Sequence, residues 1–389
     1  MPPPGPRTRG CPPRVLSRVA VLAAALAALT AGAVSPAGAG TVRQAEWPLD
    51  ASHFQADQIW RLSRGQGVTV AVVDSGVDAR HPDLAGRVLP GVSFLGDTDD
   101  DGRTDTSTDS HGTAIAGIIA ATGKADGGTG MIGLAPESTI LPVRVAVGSA
   151  VQATALAEGI KYAADHRARV INVSLGMPTP DPLLRQAVTY ALDKGAVVVA
   201  AAGNEGNSGN PPLYPAAFPG VVAVTGVTQS GAFWPVSESG PQTTLAAPAT
   251  GIYSANDRGQ YVDAEGTSYS AAYVSAAAAL LLSARPGLTA GQTVRRLITT
   301  ARHSGGSRAH SDQFGFGSLD PLAALKAPAS ADGGRANPLL APHPLGVASP
   351  HHGRTWTAVT AAGAGLAAVA AAGAVPVARR RRGRRRGRE

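Results

Sequence analysis

Apolar positions fall into short unbroken runs from residue 66 onward, and segments of helical spacing separate those runs. The stretches "GVTVAVVDSGV" (67–77), "STILPVRV" (138–145), "RVINVSL" (169–175), "AVVVAAAGN" (196–204) and "GVVAVTGV" (220–227) are rich in β-branched residues and read as strands. Between them "HGTAIAGIIAA" (111–121), "ALAEGIKYAADHRA" (155–168) and "DPLLRQAVTYALDKG" (181–195) space apolar residues three and four apart and read as helices. Strands apolar on both faces, alternating with helices, predict an α/β fold on a mainly parallel sheet covered by helices on either side. Ligands of such sheets gather beyond the carboxyl ends of the strands.

Three of those ends carry polar groups: Asp74 closes "VAVVD", Ser174 sits in "INVSL" and Asn204 follows "VVVAAAG". Taken singly they are weak signals, since an aspartate there commonly caps a turn. Two helix starts change the picture. "DSHGTAIAGIIAA" places His111 at the start of one helix, and "EGTSYSAAYVSAAAALLL" places Ser268 at the start of another made of small residues. Acyl transfer by serine needs a hydroxyl, an imidazole to carry its proton, a carboxylate to orient the imidazole, and donors aimed at the oxyanion. Ser268, His111, Asp74 and Asn204 supply those roles. Gly112 and Gly266 are expected to let the backbone turn tightly and approach a substrate, and the small residues after Ser268 to let its helix lie buried. Ser, Thr and Gly also start ordinary buried helices, but three motifs in the order Asp, His, Ser outweigh that reading.

Quoted together, "VAVVDSGVDARHPDL", "SHGTAIAG", "AAGN" and "GTSYSA" resemble the aspartate, histidine, oxyanion and serine motifs of the subtilisin-like serine proteases, over about residues 45–325. The resemblance implies a three-layer subtilisin-like fold and a serine endopeptidase with Asp74, His111 and Ser268 as triad and Asn204 as oxyanion donor. It implies a protein or peptide substrate, held as an extended strand by Ser174, Leu175 and Gly176, and no catalytic cofactor or metal. "FGFGSLDPLAAL" (314–325) resembles the segment that closes that domain, and "NPPLYPAAFPG" (210–220) is expected to line the specificity pocket. Ala272 stands where the family usually has proline, and Tyr273 where histidine is frequent.

Charge first suggests a nucleic-acid partner and then excludes it. The formal net charge of +7 comes from the ends: twelve of 34 basic side chains precede residue 20 or follow residue 378, leaving 22 against 26 acidic ones in residues 40–378. A mildly acidic body offers no groove for a phosphate backbone. The ends instead read as membrane signals. Four arginines, the apolar run "VAVLAAALAALTA" (19–31) and the small residues of "SPAGAG" have the order of a secretory signal peptide, residues 1–39. The uncharged 23-residue stretch Trp356–Ala378 is long enough, at about 1.5 Å per residue, to cross a ~30 Å hydrocarbon layer. Eight arginines in the tail 379–389 place that end in the cytoplasm and residues 40–355 outside, so the cell membrane, crossed once, is the expected location. An arginine arm that binds nucleic acid is the competing reading of the tail.

Residues 40–65 read as an N-terminal extension packed on a catalytic domain spanning 66–325, and 326–355, rich in Pro, Gly and Ala, as a linker whose composition does not fold. Its His343, His351 and His352 read as solvated. This layout resembles the mycosins, proteases associated with type VII secretion in actinobacteria. That implies a secretion membrane complex as partner, and an extension that stays attached. The mycosin likeness also raises a second reading, a structural subunit of such a complex in which cleavage is dispensable. The single cysteine, Cys11, excludes internal disulfides. Asp97, Asp99, Asp101 and Gly102 are spaced like the opening of a calcium loop, but the twelfth position is Thr108, not glutamate. The stretch reads as a solvated acidic loop at the rim of the site, suited to basic substrates.

Overall fold

The computed structural model describes residues 42–96, 100–147, 150–303 and 309–340. The expected signal peptide (1–39), the distal linker (341–355), the span (356–378), the tail (379–389), and Asp97 and Asp99 lie outside the described residues. Two short helices, α1 (Val42–Ala45) and α2 (Ala56–Trp60), precede β1 (Thr69–Asp74) and β2 (Val92–Ser93). There follow α3 (His111–Ala120), β3 (Thr139–Arg144), the short β4 (Ala146–Val147) and β5 (Ala150–Val151), α4 (Ala153–Asp165), β6 (Val170–Val173), α5 (Pro182–Asp193) and β7 (Val197–Ala201). The chain continues through β8 (Val222–Val227), β9 (Thr243–Pro248), β10 (Ile252–Ala255), β11 (Tyr261–Ala264), α6 (Thr267–Ala284), α7 (Ala290–Thr299) and α8 (Pro321–Lys326). The five expected strands and three expected helices all form.

Seven strands make one parallel sheet in the order β2-β3-β1-β6-β7-β8-β9. The chain leaves β1 for β2 at the edge, returns to β3 beside β1 and resumes at β6 on the other side, so the order reverses between β1 and β6, where Asp74 ends β1 and Ser174 follows β6. Such a reversal opens a crevice at the strand ends. Alternation within each strand feeds two cores. Val70 and Val72 pack on one face with α3 and α6, while Ala71 and Val73 pack on the other with α4 and α5. Helix α6 lies across β6, β7, β8 and β9, and its run Ala276–Ala279 is wholly buried, so small side chains let it approach the sheet closely. It is the one helix among the described residues apolar and long enough to cross a membrane by composition, and it is a buried core helix.

The N-terminal extension is stitched to the body. Trp47, Leu49, Phe54, Ala56 and Ile59 are buried, Trp47 Nε1 donates to Thr250 O (3.1 Å), and Ile132 N donates to Glu46 Oε1 (3.0 Å). Tyr273, at the position where histidine is frequent, receives Phe54 edge-on at 5.6 Å. One boundary needs correction. Composition put 326–355 in an unfolded linker, yet residues 326–340 pack on the domain. Arg296 is wholly buried and donates to the carbonyls of Ala324 (3.0 Å), Ala327 (2.7 Å) and Pro328 (2.9 Å) and to Asp332 Oδ1 (2.8 Å) from Nε. Leu339 is buried too. A single guanidinium satisfying three carbonyls and a carboxylate orders a segment whose own composition would not.

Candidate active site

Strand β1 delivers Asp74, fully buried, to the first turn of α3, where His111 is the first helical residue. Asp74 Oδ1 lies 2.7 Å from His111 Nδ1 and also accepts Ser75 N–H at 2.8 Å, while Oδ2 is buried with no partner among the described residues. A carboxylate only accepts, so Nδ1 carries the proton and Nε2 is left for other chemistry. Burial opposes a charge on the ring. The Asp74 carboxylate, by charge and by hydrogen bond, with Asp109 and Asp105 behind it, overcomes that and raises the imidazole from 6.5 to about 9.

What holds this pair lies outside the motifs read from the sequence. Asp105, part of the stretch read as solvated, is buried and accepts five hydrogen bonds. Through Ser107 and Ser75, whose hydroxyls accept the amides of His111 (2.9 Å) and Gly112 (3.1 Å), it organises the free N–H groups of the first turn. The available signal was local: Ser107 N returns to Asp105 Oδ1, the side-chain turn that Asp favours two residues before its partner. Gly112 serves packing. A Cβ there would stand 2.0 Å from Gly76 O, so only glycine lets α3 close on the end of β1. Of the calcium-like stretch, Asp101 pairs with Arg103 and Asp100 with Arg144. No cluster able to hold a metal exists among the described residues.

Ser268 sits in the first turn of α6, nearly buried, and donates to Ser174 O at 3.2 Å. Its neighbour Tyr269 sets its ring 6.1 Å from that of His111, and no hydrogen bond joins His111 to Ser268 among the described residues. Ser174 returns a bond from its own hydroxyl to Ser268 O (3.2 Å) and is itself held by Asn172, so it braces the serine. Beyond it, Met177 and Tyr214 exchange backbone bonds (2.9 Å each), which sets "NPPLYPAAFPG" against Ser174–Gly176. Gly176 has no room for a side chain, since a Cβ would lie 2.6 Å from Tyr214 O.

Asn204 follows β7 and is exposed. Its Oδ1 accepts both the amide (2.9 Å) and the hydroxyl (3.0 Å) of Thr267, the residue before Ser268. That fixes which way the amide points: Nδ2 lies near Gly266 and makes no hydrogen bond among the described residues.

With the geometry in place, comparison decides the family. The model described as "Subtilase family" of S8 peptidases matches residues 65–317. This chain is a subtilase. It is 43% identical over 231 residues to thermitase of Thermoactinomyces vulgaris, covering 59% of this chain and 80% of thermitase. To subtilisin E of Bacillus subtilis it is 40% identical over 247 residues, 62% of each chain. Among solved structures, MycP1 from Mycobacterium smegmatis superposes with a TM-score of 0.65 at 32% identity, covering 74% of this subtilase and 86% of MycP1. MycP3, described as a protease from the type VII (ESX-3) secretion system, gives 0.60 at 36% identity over 70% and 86%. The subtilase is thus a serine protease on a subtilisin-like fold with mycosin structural neighbours.

Proposed function

We propose that this subtilase is a membrane-anchored, extracytoplasmic endopeptidase that cleaves peptide bonds through Asp74, His111 and Ser268 and acts with a type VII secretion complex. The observation that carries the chemistry is the 2.7 Å contact between Asp74 and His111, made across 37 residues of sequence and sealed from water on the carboxylate side. Ser268 Oγ attacks the substrate carbonyl carbon as its proton passes to His111 Nε2. Asp74 holds the tautomer and stabilises the imidazolium. Asn204 Nδ2 donates to the oxyanion, aided by the Ser268 amide in the first turn of α6. His111 then protonates the leaving amine, an acyl-enzyme remains on Ser268, and water repeats the sequence in reverse. Ser174–Gly176 would pair with the substrate backbone.

Support for the secretion role is of another kind. A further MycP1 structure at 32% identity is described as "an essential component of the type VII (ESX-1) secretion system". The signal at 1–39 and the span at 356–378 would place the catalytic domain outside a membrane crossed once. Peptide hydrolysis by the purified full chain tests the enzymatic reading: Ser268→Ala should lose about 10⁶-fold in kcat, and retention of the rate would overturn it. The second reading, a structural subunit, is favoured by the same description of MycP1. It requires secretion to survive Ser268→Ala and to fail only when the chain is deleted.

A further inference from the structure

Beneath the segment that carries Asn204 lies a carboxyl group the reaction does not use. Glu238, in the connection between β8 and β9, is 1% exposed. Its backbone N–H donates to Gly203 O (2.9 Å), and its Oε1 accepts Glu205 N–H (3.3 Å), so it grips the chain on both sides of Asn204. A second strut, Gly206 N–H to Val236 O (2.9 Å), runs parallel. The fit is close: a Cβ on Gly203, whose φ is +115°, would stand 2.3 Å from the Glu238 carboxyl carbon. From the opposite side Gly203 N–H donates to Thr267 Oγ1 (3.1 Å). The oxyanion segment is therefore clamped between the residue before Ser268 and a buried carboxyl group. Glu238 Oε2 has no hydrogen-bond partner among the described residues.

We propose that Glu238 is a positioning residue for the oxyanion segment, holding Gly203–Gly206 so that Asn204 presents Nδ2 to the substrate, and that its ionisation tunes that hold. The inference rests on the protease reading for its kinetic consequence. A buried carboxyl with one unpaired oxygen is costly to ionise. Burial, opposed by the Glu205 amide and reinforced by the Glu205 carboxylate, lifts its pKa from 4.5 to about 7. Glu205 is the charged side chain that faces it from the clamped segment, and no charge on the β8–β9 connection or on α6 offsets it. Once ionised, Oε1 accepts the Glu205 amide in a charge-assisted bond, roughly twice as strong as a neutral one. That one bond is then stronger above pH 7 than below it, while the buried charge weakens the fold as a whole.

The sign for stability follows from linkage. A carboxyl whose folded pKa is raised binds a proton that the unfolded chain has released, so its contribution is full below 4.5 and is lost as pH rises through about 7.

Two measurements on the full chain test the proposal, with Glu238→Gln keeping the shape but not the charge. The first is the melting temperature of the Ser268→Ala protein between pH 4.5 and 8. It should fall over that range, and the fall should shrink when Glu238→Gln is added. The second is kcat and KM for a fluorogenic peptide across the same range. The parent should show a step in kcat near pH 7 that is absent from Glu238→Gln, with KM within twofold, and Glu238→Ala should lower kcat at every pH. Superimposable melting curves and superimposable kcat profiles for parent and Glu238→Gln would overturn the proposal, as would a change confined to KM. An inactive parent would sink the protease reading while the melting comparison still reported on Glu238.

Discussion

Asp105 Oδ2 accepts both the amide (2.8 Å) and the hydroxyl (2.7 Å) of Thr113, two residues beyond His111, while Oδ1 gathers Ser75 and Ser107. The carboxylate thus acts on His111 from behind, by geometry and by field. Asp105→Asn should leave the Asp74 contact intact, yet lower kcat by about tenfold, ~1.4 kcal/mol in the barrier, with KM little changed. Loss of a charge that raises the imidazole pKa should also move the acid limb of the rate profile to lower pH. A limb that stays in place would reduce Asp105 to scaffolding.

The alkaline poise of His111 makes a prediction of its own. Only the neutral ring can take the serine proton, so kcat/KM should rise with pH through a midpoint above 6.5, toward about 9. A group with a raised folded pKa stabilises the fold fully below 6.5 and loses that contribution as pH climbs through about 9. Thermal melts of the Ser268→Ala protein at pH 6, 8 and 10 should therefore show a decline that Asp74→Asn abolishes. Asp74→Asn should also lower kcat by about 10⁴-fold through the wrong tautomer. A rate midpoint at or below 6.5 would contradict the assignment of the charges around His111.

Arg296 makes the third case. Removing its side chain takes donors from Asp332 and from the carbonyls of Ala324, Ala327 and Pro328, with Arg285 left on Ala327 and Asp332, and breaking a buried pair of this kind costs ~3–5 kcal/mol. Arg296→Ala should melt earlier and be cut by an added protease within residues 326–340. Equal resistance to cleavage in parent and variant would show that other contacts suffice.

What the sequence made legible was whatever has a local period. Asp74, His111, Asn204 and Ser268 stand at the ends of strongly patterned elements, and the structure joins Asp74 to His111 and Asn204 to Thr267. The segments β9, β10 and β11 were not anticipated: "TTLAAP", "IYSA" and "YVDA" are short, carry small or polar residues, and gain their shape from β8, the C-terminal segment and one another. Asp105 and Glu238 were invisible for a different reason. An acidic residue in a polar loop is usually solvated, and nothing local in "DTST" or "VSES" shows that the fold will close over the carboxyl group. Residues 326–340 were misjudged because the groups that hold them, Arg296 with Arg285 and Thr289, stand 30 or more positions earlier in the sequence.

The central claim, that this serine is activated by its surroundings, is tested most directly by a fluorophosphonate probe on the full-length protein, with the labelled peptide identified by mass spectrometry. Covalent label on Ser268, absent from Ser268→Ala and slowed sharply in Asp74→Asn, is the expected result. No label on Ser268, or equal labelling in the Asp74→Asn protein, would contradict it.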